Sequence, residues 1–141
     1  MSTILRGVYP TDSGMHCIWN GDAFSNINDY DSWEAELLED IDIKRHIETG
    51  HFVPINIASD GAFEIEIRLG SSQQKAELSD RETTYKVVSS EPYQFRSNGT
   101  LNVSGIEYVS GEKDYSAVGT VSLKEGEYSV TVHLGVKGTI K

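Results

Sequence analysis

Cysteine is almost absent from this 141-residue chain. The lone Cys17 excludes an intrachain disulfide and a thiolate metal cluster. Proline is sparse and scattered at Pro10, Pro54 and Pro92, so no proline-rich linker divides the sequence. No apolar run approaches the roughly 18 residues of a membrane helix. Met1–Gly7 lacks an apolar stretch after a basic start, so no secretory signal is expected. Bases are also scarce: 12 Lys and Arg stand against 22 Asp and Glu, a formal charge of −10. Such a surface repels phosphate backbones and anionic bilayers, which argues against nucleic-acid and membrane partners. The glycines follow turn spacing rather than the spacing of a phosphate-binding loop.

What is present is one core's worth of apolar material, 38% of the residues. A single domain over residues 1–141 is expected. The acids are unevenly placed. Between Asp22 and Glu48 there are nine acids and two bases, which concentrates −7 of the −10 in 27 residues. The same stretch carries the one substantial helical signal, near residues 32–48. Asp31-Ser32-Trp33-Glu34 offers a cap. Trp33, Leu37, Leu38 and Ile41 recur at helical spacing, so Trp33, Leu37 and Ile41 are expected in the core. Gly50 is the expected terminator, with a slight break near Asp42.

After Gly50 the period shifts to two. Phe63, Ile65, Ile67 and Leu69 alternate with Glu64, Glu66 and Arg68. Ser59-Asp60-Gly61 predicts a hairpin between this strand and Phe52–Ala58, in which Pro54 implies a strand with one free side. A further strand is expected over Thr83–Ser89. Asn98-Gly99 and Glu125-Gly126 predict two more turns, the second flanked by Val118–Leu123 and Tyr128–Leu134. Ile4–Tyr9 and Met15–Trp19 add short strands. The expected fold is mainly β, an antiparallel β-sandwich with one main amphipathic helix.

Catalytic signals are thin. His16, His46, His51 and His133 share no metal-site or base–nucleophile spacing, and His16 and His51 read as exposed strand residues. Cys17 reads as a buried thiol, with His16 on the opposite strand face. Asn26–Asp31 offers oxygen ligands without the glycine and terminal glutamate of a calcium loop. No enzyme activity, cofactor or metal is therefore expected. Aromatic side chains, chiefly Tyr30, Tyr93 and Tyr115, offer an alternative: a small-ligand or carbohydrate-binding sandwich. The leading expectation is recognition of a basic protein by Glu34, Glu36, Glu39 and Asp40 with Asp29 and Asp31 in the entering loop, since clustered acids steer association. On that view charge reversal at Glu36 and Glu39 leaves folding nearly unchanged.

The segment Ile47–Ile67, in which a helix ends at a glycine, an apolar strand leads to Ser-Asp-Gly and an alternating strand follows, resembles small bacterial immunity-type proteins of polymorphic toxin systems. Thr11–Trp19 before the Trp33 helix is also similar, and Leu123–Val132 looks like the closing hairpin of such sandwiches. The resemblance implies a cytoplasmic, non-catalytic inhibitor of a cognate toxin.

Overall fold

A computed structural model describes residues 2–70, 86–111 and 116–136. The described chain is mainly β. Its strands are β1 (Ser2–Thr11), β2 (Met15–Trp19), β3 (Phe52–Asn56), β4 (Gly61–Leu69), β5 (Lys86–Ser89), β6 (Tyr93–Gly105), β7 (Gly119–Val130) and β8 (His133–Val136). Two helices, α1 (Tyr30–Leu37) and α2 (Asp40–Glu48), fall between β2 and β3.

Every ladder is antiparallel. The central sheet runs β3-β2-β6-β7, β1 pairs with β4, and β5 pairs with β8. The β5–β8 pair prolongs the β6–β7 ribbon: Ser90 N donates to Val132 O at 2.8 Å and Val132 N to Ser90 Oγ at 2.9 Å. Pro54 lies on the edge strand β3, opposite Cys17, as its missing N–H requires.

Alternation along each strand divides the core into two layers on opposite faces of the central sheet. Ile18, Val53, Ile55, Phe95, Leu101 and Val103 point toward Tyr9 of β1 and Ile65 and Ile67 of β4, giving a sandwich-like arrangement. Cys17, Trp19 and Phe52 point the other way, against Phe24, Ile27, Leu37 and Val118. Trp33, Ile43 and Ile47 close that second layer from the helices. The half-buried Tyr128, Val130, Val132 and Leu134 face the sandwich core, as their alternation predicts.

Four local expectations are corrected. The helical stretch is two helices, broken at Leu38-Glu39, where Glu39 is extended at φ −92° and ψ 144°. Carried straight on from Leu37, a helix would turn Ile41, Lys44 and Glu48 to the same face. The break re-phases the chain so that Ile43, His46 and Ile47 face inward, and Ile41 is left 77% exposed. The cap is also earlier than expected. Asp29 Oδ1 accepts from Ser32 N at 2.8 Å, and Ser32 Oγ accepts from Asp29 N at 3.1 Å, a reciprocal capping box.

Ser59-Asp60-Gly61 does not close a hairpin, because β3 pairs with β2 and β4 with β1. The segment carries the chain from one sheet to the other, with Ala58 at φ 58° and Gly61 at φ 137°. Asn98-Gly99 and Glu125-Gly126 do not form turns either. They face each other across the β6–β7 ladder, where the register shifts between Ser97 and Gly99. Positive φ at Gly99 and Gly126 serves this bulge, so the supposed closing hairpin is one strand running through. Of the strand expected over Thr83–Ser89, the described part is β5; the rest lies outside the described residues.

Candidate functional site

The helical pair is fastened just past the end of β6. Trp33 Nε1 donates to Ile106 O at 3.0 Å, and Leu37 is 1% exposed. The opposite face of α1 presents Tyr30, Asp31, Glu34, Ala35 and Leu38 to solvent. Tyr30 stacks on Trp33, with ring centroids 6.0 Å apart. Glu34 and Asp31 beside it raise its phenol pKa, Glu34 by charge and by hydrogen bonding.

Five of the six predicted recognition acids, Asp29, Asp31, Glu34, Glu39 and Asp40, are exposed. None of these five is ion-paired among the described residues. The nearby bases are already engaged: Lys44 with Glu48 at 3.9 Å, and Arg45 with Asp42 at 3.1 Å and Glu36 at 3.2 Å. Ser32 bonds the capping carboxylate of Asp29 and lowers its pKa.

Glu36 differs from the other five. It is half-buried and receives His46 Nε2 at 2.7 Å, Arg45 at 3.2 Å and Asn26 Nδ2 at 3.4 Å. Burial opposes its ionisation, but the bonds from His46 and Asn26 and the charges of His46 and Arg45 outweigh it, and the pKa lies below the ordinary carboxylate range. His46 is buried against Phe24, with ring centroids 4.6 Å apart. Glu36 therefore joins α1 to α2, and the expectation that its reversal spares the fold is withdrawn. Residues ten apart on separate helices leave no local sequence signal for this pairing.

The histidines also depart from expectation. His16 is fully buried, since β2 is covered on both faces; its Nε2 lies 2.7 Å from Tyr9 O and its ring meets Phe63 edge-on. His51 is half-buried, and burial, with the charges of His46 and Arg96, lowers its pKa. It borders an open depression of 610 Å³ beside the β6–β7 bulge, lined also by Asn20, Asp22, Arg96, Asn98 and Glu127. Those polar groups bond one another: Asn20 Nδ2 donates to Arg96 O at 2.9 Å, Asn98 to Asp22, and Arg96 pairs with Glu127 at 3.0 Å. The Asn98-Gly99 and Glu125-Gly126 signals, read as a facing pair, mark this place in the sequence.

Cys17 is buried as expected, and burial followed by the charge of Glu107 raises its thiol pKa well above the usual value. Among the described residues, no three His, Cys, Asp or Glu side chains gather as metal ligands. Trp19 is fully buried and Tyr93 packs against the sandwich core. Tyr115 lies outside the described residues. Among the described residues of the proposed carbohydrate platform, Tyr30 alone is exposed, and it sits among the acids. No described helix is long and apolar enough to cross a membrane.

No family model matches the chain, and neither a curated protein nor a solved structure matches it.

Proposed function

We propose that the chain is a non-catalytic protein-binding module: a cytoplasmic immunity protein that inhibits a basic cognate toxin domain by occlusion. One observation carries this reading. Five carboxylates, Asp29, Asp31, Glu34, Glu39 and Asp40, stand exposed on one helical pair without a cation among the described residues. Concentrating like charge on one element costs self-repulsion, and a complementary basic surface relieves it. The same field raises the rate of encounter and repels acidic competitors. Docked across a basic substrate-binding face, the module excludes substrate without chemistry of its own. The immunity-type resemblance of Ile47–Ile67 points the same way.

The test is co-expression with the product of the neighbouring reading frame. Relief of that product's toxicity, together with a stoichiometric complex whose association slows steeply as salt rises, is the expected result. A harmless neighbour, or a complex whose on-rate ignores both salt and the Glu34→Lys/Glu39→Lys variant, overturns the reading.

A further inference from the structure

Five large apolar side chains are exposed among the described residues, and three of them, Tyr30 (64%), Leu38 (45%) and Ile41 (77%), fall within twelve residues of the helical pair. Tyr30, Glu34 and Leu38 are spaced four residues apart and share the outward face of α1; Ile41 follows at the start of α2. Tyr30 stacks one face on Trp33 and is still left mostly exposed, while nothing in the fold accounts for Leu38 and Ile41. The inward faces of the helices are filled by Trp33 and Leu37 from α1 and by Ile43 and Ile47 from α2. Polar residues in place of Leu38 and Ile41 would serve the fold as well and avoid the cost of wetting apolar surface.

We propose that Tyr30, Leu38 and Ile41 are the anchors by which this surface holds a basic protein, whose contact patch is an apolar hollow ringed by lysine or arginine. The inference deepens the reading above and rests on it. Charge complementarity selects the occupant. Asp31, Glu34, Glu39 and Asp40 are exposed among the three apolar side chains, and from Asp29 to Ile41 the sequence holds six acids and no base. A second copy would meet like charge with like charge, and a nucleic acid or anionic bilayer would be repelled in the same way. A cationic rim around an apolar centre satisfies both features at once. The division of labour is the usual one at protein interfaces. Rim charges set encounter and its salt dependence, while a few aromatic and aliphatic side chains, dried on contact, set the dissociation rate.

The experiment uses the full chain and two synthetic helical peptides of equal positive charge as probes. One is built of lysine and leucine with an apolar stripe; in the other serine replaces leucine. Binding is followed by surface plasmon resonance for wild type, Leu38→Ser/Ile41→Ser, Leu38→Met and Glu34→Lys/Glu39→Lys, each checked for native circular dichroism. The leucine peptide is expected to bind wild type more tightly than the serine peptide. Leu38→Ser/Ile41→Ser should weaken the leucine peptide roughly tenfold through faster dissociation, leave the serine peptide unchanged and keep the salt slope. Leu38→Met should retain binding. If the serine substitutions change nothing while charge reversal weakens both peptides, the anchors are wrong and the basic-partner reading stands. If charge reversal affects neither peptide, the basic-partner reading itself fails.

Discussion

His46 Nε2 donates to Glu36 Oε2 at 2.7 Å across the gap between α1 and α2, with Arg45 reaching the same oxygen at 3.2 Å. A helical pair that otherwise meets the sheet through separate apolar contacts is tied together here by charge. Glu36→Gln keeps the shape and removes the carboxylate that His46 and Arg45 share, while Arg45 keeps Asp42 at 3.1 Å. A charged hydrogen bond of this kind contributes about 1.5–3 kcal/mol. Urea denaturation should register a loss of that order for Glu36→Gln, whereas Glu39→Lys on the exposed face should stay within about 0.5 kcal/mol. Equal effects at the two positions would remove the distinction between a structural acid and an exposed acid proposed for recognition.

The same contacts contribute to the acid limb of stability, beside Asp29 and Glu66, whose pKa values hydrogen bonds also lower. Glu36 and His51 both have folded pKa values below their ordinary ones. A depressed folded value means that the unfolded chain binds more protons in the window between the two values, so stability rises with pH there. The contribution of His51 is complete above its unfolded value of about 6.5, and that of Glu36 above about 4.3. Both are lost as pH falls through the lower folded values. The urea midpoint should therefore fall from neutral pH toward pH 4, and Glu36→Gln should flatten the lower part of the curve. A midpoint that holds or rises on acidification contradicts this account.

The broken helix makes a contrast within one apolar stripe. Leu37 is 1% exposed and Ile41 is 77% exposed. Leu37→Ala should cost about 2–5 kcal/mol, the range for a buried leucine, and Ile41→Ala should stay within about 0.5 kcal/mol. Comparable losses in thermal or urea melts would mean that one continuous helix buries both.

Much of the fold was legible because alternation leaves few choices. Phe63, Ile65 and Ile67 had to share a face, and Pro54 had to lie on an edge. What misled was punctuation. An Asp-Gly pair signals positive φ, but Gly61 uses that freedom to pass between sheets, and Gly99 and Gly126 use it in a bulge. Helical spacing could not reveal the re-phasing at Glu39, which follows from the tertiary demand to bury Ile43, His46 and Ile47 rather than Lys44 and Glu48. The exposed acids proposed for recognition were visible as a charge run. Glu36 looked like one of them because its partner His46 lies beyond the break.

A last prediction concerns the seam between the two sheets. Tyr9 of β1 is 8% exposed, and its ring lies over the backbone of Gly119 at the start of β7. A Cβ placed at Gly119 would come 2.7 Å from Tyr9 Cζ and still closer to its hydroxyl. Tyr9 belongs to the buried cluster that also holds Ile18, Val53 and Val103. Gly119→Ala must displace the aromatic or the strand, an overpacking cost of about 1–3 kcal/mol. The penalty belongs to the pair, so a double-mutant cycle isolates it. In a Tyr9→Ala background the added methyl fills space instead of contesting it, and the increment from Gly119→Ala should vanish or change sign. Additive losses in the cycle would place the cost in the β7 backbone and leave Tyr9 without a part in it.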